Sequence, residues 1–169
     1  DVASDTPDAL GAAVDRAVAC DLVVFSGGSS VGNRDLVMDI LRGRGRVVFH
    51  GIATRPGKPT AFGTIDGVPV FGMPGNPTSC LTNAYVLLVP FLRTLAHLPA
   101  HVPRVVTAPL TRRVASSAGR HQFYTVRLVD GQAEPAFKAS GDITSMAHAD
   151  GYIEIASDVA AIEAGTRVD

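Results

Sequence analysis

A run apolar at every position, Leu22-Val23-Val24-Phe25, passes directly into Ser26-Gly27-Gly28-Ser29-Ser30-Val31-Gly32, and this junction restricts the fold more than any other feature of the chain. A short stretch without polar alternation suits a strand covered from both sides, the middle layer of an α/β sheet. Helical patterns flank it. Upstream, Asp5 and Thr6 offer N-caps, Pro7 suits the first turn, and Leu10, Ala13, Val14, Ala17 and Val18 recur at helical spacing. Downstream, residues 35–41 predict a second helix. Helix, strand, glycine-rich turn and helix in that order define an α/β unit.

Further on, residues 47–50 predict a strand, and residues 60–62 should pair with 68–71 through a turn at Asp66-Gly67, a strong hairpin signal. A long helix is expected from Thr78 or Ser79 to about Leu95, kinked at Pro90. From His101 the pattern changes to short β-branched runs at residues 105–108, 123–128 and 152–155, separated by Gly, Asp and Ser. These predict a small all-β module. The expected division is residues 1–98 and 99–169.

Composition narrows the function classes. With 15 basic and 16 acidic residues the formal net charge is −1, which speaks against nucleic-acid or anionic-membrane binding by bulk electrostatics but leaves room for a compact anion pocket. No apolar stretch approaches a bilayer span. Cys20 and Cys80 lack disulfide-framework or zinc spacing, so a reducing cytoplasm is the default compartment. The chain opens on Asp1 with neither a signal-peptide pattern nor a Met, and reads as part of a longer protein.

Several segments carry possible chemistry. The turn at residues 26–32 either cradles an anion on backbone amides at a helix start or is an ordinary tight turn. It is neither a GxGxxG nor a Walker P-loop. Asp35, just beyond it, suits a Mg²⁺ ligand beside phosphate, or simply an acid at a helix N-terminus. Arg55-Pro56-Gly57-Lys58-Pro59 sets a guanidinium and an ammonium on a stiffened loop, a cationic clamp for an oxyanion or a solvated surface loop. Pro74-Gly75-Asn76-Pro77-Thr78-Ser79 opens the long helix, where Ser79 offers a hydroxyl to an anion or acts as a cap. Cys80 reads as a small packing residue. None of the five histidines has ligand spacing, and Arg120 suits an anion contact or a surface ion pair.

Taken together, Ser26-Gly27-Gly28-x-Ser30-Val31-Gly32-x-x-Asp35, Arg55-Pro56-Gly57-Lys58-Pro59 and Pro74-Gly75-Asn76-Pro77-x-Ser79 resemble the MoeA/gephyrin family of molybdopterin molybdenumtransferases, and Gly119-Arg120-x-x-Phe123 and Ser140-Gly141 resemble its C-terminal domain. The resemblance implies a MoaB/MogA-like three-layer domain with a parallel-rich sheet, truncated at its N-terminus, followed by a small β-barrel-like all-β domain. It implies molybdenum insertion into adenylylated molybdopterin with release of AMP, using Mg²⁺. Asp35 would handle the metal, and Ser26, Gly27, Gly28, Ser30 and Gly32 would cradle the pterin phosphate. Arg55, Lys58, Pro59, Ser79 and the Pro74-Gly75-Asn76-Pro77 turn would form the molybdate end, with Arg120 and Ser140 contributed by the β module.

Two departures from the family pattern are Asn33, where an acid is usual, and Arg55, where Lys is common. A homodimer and a molybdopterin adenylyltransferase are the implied partners. The alternatives are an adenylyltransferase-like protein, which would not account for the clamp or the β module, and a gephyrin-like scaffold.

Overall fold

A computed structural model of the chain describes residues 1–27, 35–136 and 144–169. The helices are α1 (Pro7–Ala17), α2 (Leu36–Arg44), α3 (Pro77–Asn83) and α4 (Val89–Leu95), with a π-helical turn at Ala84–Leu88 and a 3-10 turn at Ser145–His148. The strands are β1 (Val23–Ser26), β2 (Gly45–His50), β3 (Thr54–Arg55), β4 (Ala61–Ile65), β5 (Val68–Met73), β6 (Ala108–Pro109), β7 (Val114–Ala115), β8 (His121–Val129), β9 (Gln132–Pro135), β10 (Gly151–Ile155), β11 (Ala161–Ile162) and β12 (Arg167–Val168). Two units result: Asp1–Ile52 with Gly57–Ala84, and Ala53–Pro56 with Tyr85–Asp169.

The first unit is the α/β layer expected from the sequence. Its sheet runs β1-β5-β4-β2, with β1 parallel to β5 and the other two pairs antiparallel. The parallel component of this sheet among the described strands therefore rests on β1 and β5. The β4–β5 hairpin turns at Asp66 (φ 51°) and Gly67 (φ 81°), both left-handed, as a two-residue turn matched to strand twist requires. A bulge between Val47 and Phe49 turns Val48 out to 55% exposure. Thr6 caps α1 by accepting from the Ala9 amide at 3.3 Å, and Leu10 and Val14 are its buried positions. Val14 joins Val37, Met38 and Leu41 of α2 and Val23, Ala61, Ile65 and Val70 of the sheet in one core. Leu41 is fully buried, so Leu41→Ala should cost about 2–5 kcal/mol of stability, readable as a lower urea midpoint at unchanged slope.

One expectation fails here. The strand at residues 22–25 was to be covered on both sides, yet Val24 is 43% exposed and β1 pairs only with β5 among the described strands. Apolar sequence marks suitability for burial, not burial itself.

In the second unit, β8 is the spine. It pairs antiparallel with β10 and β9 and parallel with the two-residue β3. The core comprises Ala108, Leu110, Val114, Tyr124, Val126, Ala133, Ile153 and Ile155. The runs at 123–128 and 152–155 are strands as expected, but Val105 and Val106 lie outside any strand and are exposed; only Ala108 of that run pairs, with Val168. β-branched composition does not make a strand without a partner edge. Along the helical stretch from Pro77 to Leu95, the π-helical turn precedes Pro90, which sits in the first turn of α4. Widening the helix there accommodates a ring that lacks an N–H and would clash with the carbonyl of the preceding turn.

Candidate functional site

Strand register gathers the motifs of the first unit at one end of its sheet. Ser26 is opposite Met73, Gly72 is opposite Ala61, and Ala61 is opposite His50. The glycine-rich turn, the Pro74-Gly75-Asn76-Pro77 turn and both ends of the 51–60 loop therefore leave the sheet along one row. This is the carboxyl end of the parallel pair, where open α/β sheets bind ligands. Gly27 (φ 90°) donates its amide to Met73 O at 3.4 Å, and Ser26 Oγ lies 3.8 Å from Cys80 Sγ. A Cβ added at Gly75 would meet the Gly27 Cα at 3.4 Å, so the backbone at these two glycines approaches closely. Gly28, Ser30, Gly32 and Asn33 lie outside the described residues, as does Ser140.

The 51–60 loop is closed by Gly51 N–H to Thr60 O at 2.8 Å and Ile52 N–H to Lys58 O at 2.9 Å. Gly57 is buried with φ 104° and packs against Asn83 of α3. Asn83 donates from Nδ2 to Gly57 O at 2.9 Å, and the Thr60 hydroxyl donates to the same carbonyl at 2.8 Å. Lys58 is exposed and makes no ion pair with any described residue, and Pro59 beside it is half-buried. The loop is thus joined to the helix that the Pro74 turn opens.

That turn is capped by Asn76, not by Thr78 or Ser79 as the sequence suggested. Asn76 Oδ1 accepts from the Ser79 amide at 3.1 Å and from the Ser79 hydroxyl at 3.2 Å. Ser79 would have to redirect its proton to serve an oxyanion. Pro74 is buried, while Gly75 and Pro77 are exposed. Asn76→Ala should lower stability by about 1 kcal/mol, measurable by chemical denaturation.

Asp35 is the N-cap of α2: Oδ1 accepts from the Met38 amide at 3.0 Å, and Oδ2 lies 3.4 Å from His50 Nε2. No group of three His, Cys, Asp or Glu side chains suited to a metal occurs among the described residues. An all-protein cage does not fit here. A Mg²⁺ held by one carboxylate, with substrate phosphate and water completing its shell, does fit, because each Asp35 oxygen keeps a lone pair beyond its present contact.

In the second unit, β3 brings Arg55 opposite Gln122, and the Arg55 guanidinium donates to Ser117 Oγ. Gln122 is 2% exposed and anchors the same turn, its Oε1 accepting from Ser116 Oγ at 3.2 Å and from the Ser117 amide at 3.4 Å. Arg120 is exposed immediately before β8, next to Gly119 at φ 81°. Arg55 and Arg120 therefore belong to the same corner of this unit.

Sequence reading passed over His50, Thr60, Asn83, Ser117 and Gln122. One signal was available: Thr78, Thr82 and Asn83 put polar groups on a buried helix face, where an apolar stripe is the norm.

Fold and site together describe an α/β domain that collects its binding turns at one sheet end, accompanied by a β-rich unit. The chain belongs to the MoCF_biosynth family, the probable molybdopterin binding domain, which matches residues 1–94; residues 107–169 match the MoeA C-terminal region, domain IV. It is 35% identical to a putative molybdopterin biosynthesis protein of Methanocaldococcus jannaschii, over 100% of this chain and 41% of that protein. It is 34% identical to molybdopterin molybdenumtransferase 2 of Mycobacterium tuberculosis, over 98% of this chain and 44% of that one. Among solved structures, the molybdopterin biosynthesis moea protein from Pyrococcus horikosii superposes with a TM-score of 0.85 at 42% identity, covering 99% of this chain and 41% of that one. The chain thus spans about two fifths of the length of these relatives.

Proposed function

We propose that this chain is part of a molybdopterin molybdenumtransferase, its residues 1–98 carrying the pterin and molybdate end and residues 99–169 the C-terminal module. The observation that carries the reading is the convergence, at one end of the first unit's sheet, of the Ser26-Gly27 turn, the Pro74–Ser79 turn and the loop bearing Lys58, which has no ion-pair partner among the described residues. Lys58 supplies a cation for the molybdate dianion, with Ser79 as a hydroxyl partner and the start of the glycine-rich turn facing the pterin phosphate. Within the second unit, Arg55 is fixed by Ser117.

Molybdenum passes from molybdate to the dithiolene sulfurs of adenylylated molybdopterin, one displaced oxo group leaving as water with the two thiol protons, and a second water cleaves the phosphoanhydride to give molybdopterin and AMP. Asp35 would hold Mg²⁺, which when bound would supply neutralisation of phosphate charge. Asp35 itself keeps one oxygen on the α2 amides, so it offers any metal a fixed carboxylate. The intact protein acts as a cytoplasmic homodimer supplied by a molybdopterin adenylyltransferase. No helix among the described residues is long and apolar enough to cross a membrane.

The test is AMP release from adenylylated molybdopterin by the full-length protein, with and without molybdate. Release only when molybdate is present supports the reading. ATP-dependent adenylylation of molybdopterin instead would make it an adenylyltransferase, and a stoichiometric protein partner with neither activity would make it a scaffold.

A further inference from the structure

Gly57, Thr60 and Asn83 close a buried ring of hydrogen bonds. Asn83 Nδ2 donates both to Gly57 O and to Thr60 Oγ1, and Thr60 Oγ1 donates to Gly57 O. Thr60 and Asn83 are both fully buried. The count closes on one side only: both amide hydrogens of Asn83 and both lone pairs of the Gly57 carbonyl are used, while Asn83 Oδ1 is buried with no hydrogen-bond partner among the described residues. An apolar side chain would fill this volume without stranding an acceptor, so the amide's role here is directional.

The carbonyl it grips belongs to the peptide joining Gly57 to Lys58, and that peptide is planar. Gripping it fixes the plane from which Lys58 departs. The next plane is fixed as well, because Lys58 O accepts the Ile52 amide at 2.9 Å. Both peptides flanking the Lys58 Cα are thereby set, although the side chain itself is exposed.

The geometry points to Asn83 and Thr60 as positioning residues for Lys58, holding its backbone so that the ammonium is presented to a tetrahedral oxyanion without an ordering cost on binding. This rests on the reading of Lys58 as a molybdate contact.

The experiment measures molybdate affinity by calorimetry on the full-length protein, with amide hydrogen exchange over residues 51–60. Thr60→Val removes the hydroxyl at constant shape, Thr60→Ser keeps it, and Asn83→Asp replaces the donor by an acceptor facing a carbonyl. Thr60→Val and Asn83→Asp should each weaken molybdate about tenfold and speed exchange in the loop, while Thr60→Ser stays within about twofold of the parent. Added to Lys58→Ala, Thr60→Val should bring no further loss, since its effect runs through Lys58.

Unchanged affinity in Thr60→Val and Asn83→Asp, with Lys58→Ala still damaging, overturns this inference alone; so does a fully additive double variant. Should Asn83→Asp fail to fold, the Thr60 pair decides. Absence of molybdate binding, or binding indifferent to Lys58, overturns the reading of Lys58 and this inference with it.

Discussion

Lys58→Ala in the full-length protein should weaken molybdate binding about 10- to 100-fold, whereas Lys58→Arg should retain most of the affinity. Lys58 is the proposed clamp cation of the first unit and has no carboxylate partner among the described residues. A hydrogen bond to a charged group contributes about 1.5–3 kcal/mol, which converts to that range of affinity. Screening in an exposed setting keeps the effect toward the lower end, and it should shrink further as salt is raised. Calorimetric titration at two ionic strengths reads both. Equal affinity in parent and Lys58→Ala would remove this residue from the site.

Gly57→Ala should be more damaging than a methyl added at any other described loop glycine. A Cβ there would stand 2.1 Å from Asn83 Nδ2 and 2.6 Å from its Cγ, and the backbone is at φ 104°, a region L residues avoid. Asn83 cannot swing aside cheaply because it is fully buried and hydrogen-bonded to the same loop. The expected loss is about 2–4 kcal/mol, combining left-handed strain with overpacking.

Gly67 makes a sharp control. It has φ 81° with nothing within 4 Å of an added Cβ, so Gly67→Ala should cost only the strain, about 1 kcal/mol. Denaturant unfolding of both variants separates clash from strain. Combining Gly57→Ala with Asn83→Ala should recover part of the deficit, because the two side chains compete for one space.

What could be read from the chain depended on how far each determinant reached. The Asp66-Gly67 turn was legible because two adjacent residues set its φ values and the strands follow from it. The cap of α1 at Thr6 was equally local. The three turns were recognisable as motifs, and the sheet register explains why they share an end, but the ties between them are not local. Asn83 meets Gly57 across 26 positions and Arg55 meets Ser117 across 62. Those pairings exist only once β4 and β5, or β3 and β8, are in register.

Errors arose where a residue type had two uses. Asn76, Thr78 and Ser79 are all good caps, and only the geometry selects Asn76. Val105 and Val106 have strand character but find no edge. The sequence puts Asp35 inside the helix predicted over residues 35–41, whereas it is the cap of α2, with its second oxygen beside His50.

The most direct check on the site is to diffuse tungstate, an electron-dense analogue of molybdate, into crystals of the full-length protein and locate it by anomalous scattering. The account predicts a tetrahedral anion within hydrogen-bonding distance of Lys58 Nζ at the end of the sheet where Ser26 and Met73 stand side by side. A fully occupied anion held elsewhere, with Lys58 still turned to solvent, would contradict it.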